Sequence, residues 1–425
     1  MQRGLNNAMR RITTFAIGLL LYAVALPVHA ATITVTNTND SGPGSLRQAL
    51  ADANDGDTIN FDVSLKGQTI ALTSDELVID KSITITGPGS DQLAVGLHIP
   101  QYHFRVFHVM ASPTVTIEGI TIGPSLFFYG CGILNDQATL TINNCAVTGN
   151  NGQTLGAGIS NGGTLTINNS SITGNVLEYQ GSGVGISSSG TLIINNSIIR
   201  DNISGKGQTD GGGILNGGTL TISNSTVSAN SALTINQEPG CGGGIGNNGS
   251  LQIANSTISG NSATNGGAIC NDAASLEIAN SILNAGDVGE NIFNDGGTIT
   301  SLGYNLSSDN GGGYLNGPGD QTNTDPILGP LQDNGGPTQT HRPYPQSPAI
   351  DAGDPSFTPP PFYDQRGTGF DRVVNGRIDI GSFEVQEGKP PPPSPTPTPT
   401  PSPTPTPTPR PTLTPRPRPT PGPRP

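Results

Sequence analysis

The sequence predicts an all-β protein: a right-handed parallel β-helix with three strands per coil, a short N-terminal capping helix and a disordered Pro/Thr-rich C-terminal tail. Three observations predict it. One phrase recurs six times at solenoid spacing, its apolar residues alternate with polar ones, and the same residue types return at fixed positions after it.

The phrase is Thr-Leu-Thr-Ile-Asn-Asn at 139–144, and its Leu anchors are Leu140, Leu165, Leu192, Leu220, Leu251 and Leu276, spaced by 25, 27, 28, 31 and 25 residues. Two residues after each Leu stands Ile (Ile142, Ile167, Ile194, Ile222, Ile253, Ile278). A spacing of two puts both side chains on one face of a strand. Four after each Leu stands Asn (Asn144, Asn169, Asn196, Asn224, Asn255, Asn280). Asn tolerates the left-handed backbone of a tight bend, and its amide can bond to the same amide one coil above.

A small column follows at Cys145, Ser170, Ser197, Ser225, Ser256 and Ser281. Val147, Ile172, Ile199, Val227, Ile258 and Leu283 then face inward from a second strand, which ends at Asn150, Asn175, Asn202, Asn230 and Asn261. Past Gly-rich loops, a third strand opens at Ile133, Ile159, Ile186, Ile214, Ile245 and Ile269. An antiparallel sandwich accounts for the aliphatics but not for a fixed Asn and Ser register. One coil buries only a few aliphatics, at ~1.5–3 kcal/mol each. Ordering costs ~1–2 kcal/mol for every residue in it, so coils are stable only as a stack.

Strand-like pieces at Thr69 to Leu72, Leu77 to Ile85 and Thr114 to Ile122 read as degenerate earlier coils. The stretch from Gly44 to Ala53 reads as a helix. Ser45 caps it, Leu46, Ala49, Leu50 and Ala53 form its apolar face, and it plugs the open end of the core. Residues 1–30 read as a Sec signal peptide: Arg3, Arg10 and Arg11 precede an apolar run from Phe15 to Leu26, and Val28-His29-Ala30 is a cleavage site. That run is shorter than the about 20 residues of a membrane span, so no span is expected in the mature chain. The expected divisions are 31–302 for the β-helix, 303–388 for a C-terminal region closing the solenoid, and 389–425 for the tail, whose Pro and Thr cannot bury a core.

Residues 31–388 hold all 31 acidic residues but ten Lys and Arg, a formal charge of −21. Such a body repels nucleic acid and anionic polysaccharide, and favours a neutral glycan, a cation or a protein. Cys131, Cys145, Cys241 and Cys270 show neither a metal-ligand spacing nor a repeated framework, which leaves buried thiols or a disulfide open. The Gly runs at 211–213 and 242–244 precede no helix, which excludes dinucleotide binding.

Several charged sets are candidates for chemistry. Arg200 and Asp201 interrupt the usual ending of the second strand, with Lys206 and Asp210 in the next loop; a base and two carboxylates there suggest a catalytic site, against which stands a variable, solvated loop. Asp136, Asp272 and Asp295 fall near bends at repeat positions, where calcium competes with ordinary turn chemistry. Asp351, Asp354, Asp364 and Asp379, with Arg366 and Arg377, form the densest charged set. They read either as a cation site or, more economically, as an Arg–carboxylate network. His98, His103 and His108 alternate faces of a strand and make a poor metal site.

With these motifs in view, the body resembles the pectin-lyase-like superfamily of parallel β-helices. The run Thr-Asn-Asp-Ser-Gly-Pro-Gly-Ser-Leu-Arg-Gln-Ala-Leu within Thr32 to Asp62 is similar to the start of many bacterial surface β-helix proteins. Gly303-Tyr304-Asn305-Leu306, Asn334-Gly335-Gly336-Pro337-Thr338, Ser347-Pro348-Ala349-Ile350-Asp351-Ala352-Gly353, Asp364-Gln365-Arg366-Gly367 and Asp379-Ile380-Gly381-Ser382-Phe383-Glu384 resemble the choice-of-anchor Q domain of exported bacterial proteins. The resemblance implies export and surface association and no established catalysis. After Glu384 the chain departs from that pattern: a Pro/Thr stalk follows without an LPxTG-like motif, so free secretion stands beside anchoring. The functional expectation is a non-enzymatic extracellular or cell-surface protein, adhesin-like and without a cofactor, that presents a lateral face to glycan or protein. The alternative is a polysaccharide lyase or glycoside hydrolase of the same fold.

Overall fold

A computed structural model describes residues 30–97, 103–129, 132–179, 181–205, 209–233 and 239–386. The expected signal peptide up to His29, the Pro/Thr tail, His98, Cys131 and Lys206 lie outside the described residues.

The six phrases form strands at Thr139–Asn143, Thr164–Asn168, Thr191–Asn195, Thr219–Ser223, Ser250–Ala254 and Ser275–Ala279. Each pairs in parallel with the next, Leu over Leu and Ile over Ile. They belong to an eleven-stranded sheet running from Thr32–Val35 to Thr298–Gly303. A second sheet has ten strands, from Gln68–Leu72 to Leu306–Ser307, and a third has nine, from Leu77–Ile79 to Ile292–Asp295. The protein is a parallel β-helix with a core of stacked aliphatics, in which Leu140, Ile142, Val147 and Ile133 are all fully buried.

Polar columns lock the register. Asn144, Asn169, Asn196, Asn224, Asn255 and Asn280 all take a left-handed backbone, with φ between 47° and 53°. Their side chains lie at an outer corner, so amide-to-amide bonding there is confined, among the described residues, to Asn224 Nδ2 donating to Asn196 Oδ1 at 2.6 Å. The continuous ladder lies deeper. Asn150, Asn175, Asn202, Asn230 and Asn261 are buried, and each Nδ2 donates to the next Oδ1 at 2.9–3.0 Å. The Ser column does a different job: the backbone N–H of Ser170 donates to Ser197 Oγ, and that of Ser197 to Ser225 Oγ. Buried amides and hydroxyls are thus satisfied only when coils stack in this order. A side chain at Gly190 would collide with the carbonyl of Gly163 one coil away, which is why that corner is Gly.

The capping helix spans Leu46–Asp52. Ser45 Oγ accepts from the backbone N–H of Gln48, and Leu46, Ala49 and Leu50 are buried against the first coil. A fourth, short sheet was not apparent in the sequence. It forms at Ser125–Tyr129, Asn150–Leu155, Val176–Leu177, Ile203–Ser204, Gly181–Ser182 and Thr209–Asp210, where loops after the second strand are long enough to pair with each other.

The C-terminal region does two things. Leu306 extends the second sheet and Leu315 packs into the main core at the end of the stack. From Pro326 onward the chain returns along the flank, through an antiparallel pair Leu328–Gln332 and Thr340–Pro343. It is fastened to the corner and second sheet by Thr226 Oγ1 to Gln365 Oε1 at 2.6 Å, His341 to Ser228 at 2.9 Å, and Asp354 N–H to Asn280 Oδ1 at 2.8 Å. Ile380 and Ala349 pack on Ile282 and Leu306. Cys241 and Cys270 form a disulfide between successive coils, whereas Cys145 is free and buried, its thiol pushed up to about 12 by burial.

Candidate functional site

The returning C-terminal chain leaves a groove of about 420 Å³ along the corner of the helix. One wall is the step of successive coils at Asn144, Asn169 and Asn196; the other is the segment from Pro360 to Tyr363 with Gly367 and Thr368. Parallel coils stack at about 4.8 Å, so three amides repeat along the groove at that interval. The Asn169 amide is half-buried and bonds to no other described residue. Phe362 and Tyr363 are 66% and 39% exposed, large aromatic areas left uncovered beside those amides.

The aromatic wall is held firmly. Asn224 Nδ2 donates to the carbonyl of Tyr363 at 3.1 Å, and Thr338 Oγ1 donates to the carbonyl of Asn196 at 3.3 Å. Behind it, Arg366 is clasped between Phe370 and Phe383, 4.0 and 3.6 Å from their ring centres. Its guanidinium forks onto the Asp364 carboxylate and donates to the Glu384 carbonyl at 2.6 Å. Asp364 and Arg366 neutralise each other, so the groove carries no net charge.

The neighbouring outer face of the first sheet is also uncharged over most of its length. Thr32, Thr58, Thr84, Thr116, Thr141 and Thr166 stand one over another in register. A second column runs through Thr114, Thr139, Thr164, Thr191 and Thr219. Side by side with them, Asn168 bonds to Asn143 and Asn195 to Asn168, each at 3.0 Å.

The structure separates the set proposed around Arg200. Arg200 and Asp201 form an ion pair with each other at the surface. Asp201 holds a left-handed turn, φ 53°, where other coils place Gly149, Gly174 or Gly260. Asp210 belongs to a different face. There it lines a cleft of about 210 Å³ with Asp272 and Asp295, floored by Gly246 and flanked by the Cys241–Cys270 bridge and Phe293. Burial raises the Asp210 carboxyl above its usual range, and the charge of Asp272 raises it further. Asp136 shares the turn position of Asp272 and Asp295 but lies several coils away and takes no part. Sequence reasoning missed this cleft because Asp210 reaches Asp272 across two Gly-rich loops of unequal length.

In the C-terminal set, Asp351 and Asp379 come together with Glu384, their carboxylate oxygens within 4.8 Å of one another. These are the described residues best placed to hold a cation. Asp354 is elsewhere, accepting from Ser356, and Asp364 is taken by Arg366. The Asp379 and Glu384 oxygens already accept backbone N–H groups of Asp351, Val385, Val374 and Asp379. Burial, then repulsion from Asp379, pushes the Glu384 carboxyl to about 9, and burial pushes Asp379 to about 6. Protonation therefore relieves the crowded charge without an ion. Arg372, fully buried, donates through Nη2 to the carbonyls of Asp379 and Gly381, at 3.1 and 2.8 Å. His108 meets Glu76 at 2.9 Å, and Arg105 meets the same carboxylate at 2.9 Å. Among the described residues, no helix is long and apolar enough to cross a membrane.

No protein-family model matches the chain, and no curated protein matches it. Among solved structures it is similar to pectate lyase Pel9A, with 13% sequence identity, 85% of this chain and 98% of that chain covered, and a TM-score of 0.46. A likeness of that degree carries no argument about activity.

Proposed function

We propose that this is an exported, non-enzymatic protein, secreted or held at the cell surface, that offers the side of its β-helix as a binding surface for glycan or protein. One observation carries the reading: hydroxyl and amide columns line the lateral surface in register, uncharged on a body whose formal charge is strongly negative. Repeated polar groups at a fixed rise suit a repetitive or extended partner, and neutrality on an acidic body suits an uncharged one. Export is supported by the basic start, apolar run and small-residue site within residues 1–30, and surface association by the choice-of-anchor Q resemblance. The test is expression of the full chain in a bacterium, with N-terminal sequencing of the product and assay of the purified protein on a polysaccharide panel. The reading predicts an exported product beginning at Ala31 that releases no reducing ends and no unsaturated uronates. A cytoplasmic product retaining residues 1–30, or measurable turnover, overturns it.

A second reading is favoured by the Asp210 cleft. A glycoside hydrolase needs one protonated and one ionised carboxyl group across the bond it cleaves. Asp210, whose proton affinity burial raises, lies with Asp272 and Asp295 in one cleft, which places several carboxyl groups where such a reaction would use them. In that case Asp210→Asn abolishes turnover while leaving the melting curve in place.

A further inference from the structure

We propose that the groove between the Asn corner and residues 337–368 is a binding site for a neutral glycan chain. The inference rests on the lateral-surface reading and assigns that surface to one site and one chemistry.

Four features of the groove converge on a sugar. Asn side chains each present an amide donor and a carbonyl acceptor, the pairing that adjacent ring hydroxyls require. Here they repeat coil by coil, and the half-buried Asn169 amide has no bond to another described residue to give up on binding. Opposite them, Phe362 and Tyr363 leave aromatic surface exposed, and the C–H face of a pyranose ring stacks on such surface. The groove is open along its length and within the ordinary range for ligand sites, so a chain can lie in it and not only a single ring. Its charge also decides the class of glycan. Arg366 is spent on Asp364 and the Glu384 carbonyl, so no cation is left there to pair with a uronate. The surrounding body adds long-range repulsion against polyanions.

The site is assembled from two distant parts of the chain. The corner supplies amides placed by their left-handed backbone. Asn196 Oδ1 accepts from Asn224 and Asn144 Nδ2 donates to Glu118, which leaves the Asn169 amide, Asn196 Nδ2 and Asn144 Oδ1 without a bond to another described residue. The aromatic wall sits on a loop held by Asn224 and by the buried Arg366 clasp, and it keeps its geometry before any ligand arrives.

Affinity electrophoresis of the full chain through gels containing hydroxyethyl cellulose, barley β-glucan, galactomannan, arabinoxylan or polygalacturonate tests the proposal. We expect retardation by at least one of the four neutral polymers and none by polygalacturonate. Phe362→Ala with Tyr363→Ala should weaken it roughly tenfold or more, as loss of a central aromatic contact does. Asn169→Gly keeps the left-handed backbone while removing the amide, and should weaken it too. Because Phe362 and Tyr363 are exposed, unchanged melting curves show that these variants fold. Thr164→Ala with Thr191→Ala separates the flat outer face from the groove, and Tyr179→Ala, an exposed aromatic outside both, should leave retardation unchanged. Retardation that survives the groove variants but is lost in the Thr variants overturns the groove and keeps the lateral-surface reading. Retardation by polygalacturonate alone overturns the neutral-glycan assignment. Retardation by none of the five overturns the groove proposal and leaves a protein as the partner of the lateral surface.

Discussion

Asn202 is the middle rung of the buried ladder, and replacing it with Ala tests what that ladder contributes. Its Oδ1 accepts from the backbone N–H of Asn175 at 3.2 Å and from Asn175 Nδ2 at 2.9 Å. Its Nδ2 donates to the Ile172 carbonyl at 3.0 Å and to Asn230 Oδ1 at 2.9 Å. After Asn202→Ala, Asn175 Nδ2 still reaches the Val147 carbonyl, and Asn230 Oδ1 still accepts the backbone N–H of residue 202. The backbone N–H of Asn175 is left without an acceptor in a site closed to water. An orphaned buried donor costs about 1–3 kcal/mol, and each of the three other lost bonds about 1 kcal/mol, so the variant should lose about 4–6 kcal/mol. Urea denaturation followed by circular dichroism measures this, with Thr166→Ala on the exposed face as a control that stays within about 0.5 kcal/mol of the parent. If Asn202→Ala and Thr166→Ala unfold at the same urea concentration, the ladder does not hold the coils together and the reasoning fails.

Three further outcomes follow from the same structure. Glu384 and Asp379 bind protons more tightly when folded, at about 9 and 6 against ordinary values of 4.5 and 3.8, so the folded state retains protons that the unfolded chain releases. Their contribution is therefore intact below about pH 4 and is lost as pH rises toward 9, by up to about 1.4 kcal/mol per pH unit for each proton; the melting temperature should fall over that range, and Glu384→Gln should flatten the profile. Arg372→Ala leaves the buried Asp379 and Gly381 carbonyls without that donor, at about 1–3 kcal/mol for each; limited proteolysis should cut residues 326–386 first, and uniform resistance would count against the clasp. Reducing Cys241–Cys270, separated by 29 residues, should lower stability by about 3–4 kcal/mol, while iodoacetamide leaves Cys145 unmodified in the folded protein because its buried thiol does not ionise.

The stacking was legible because it is periodic. Leu140 over Leu165 and Ile133 over Ile159 follow directly from six copies of one phrase, and the cap at Ser45 follows from local capping chemistry. The corner backbone was legible from Asn, but which Asn column carries the continuous amide ladder was not. Asn196 and Asn202 are the same residue type six positions apart, and only the turn geometry decides that one faces out and the other in. The groove was illegible for a different reason. Phe362 and Tyr363 lie in an irregular, Pro-rich segment, and the contacts that seat it span well over a hundred residues, as from Thr226 to Gln365. Aromatic platforms and carboxylate clusters have no source in the phrase at 139–144, which holds neither residue type. Both arise where non-repeating loops meet the repeats, the platform at Tyr363 and the cluster at Asp210, Asp272 and Asp295.

The vertical register of the coils underlies every site described, and cross-linking measures it directly. In a chain with Cys131 and Cys145 replaced by Ser, Thr166→Cys with Ile193→Cys puts two thiols on directly paired residues of adjacent coils. At about 4.8 Å between paired strands, they fall inside the Cα separation a disulfide accepts. Thr166→Cys with Thr221→Cys puts them two coils apart, beyond it. Mild oxidation and mass spectrometry should find the first pair linked within one chain and the second unlinked. A linked second pair beside an unlinked first would contradict the stack.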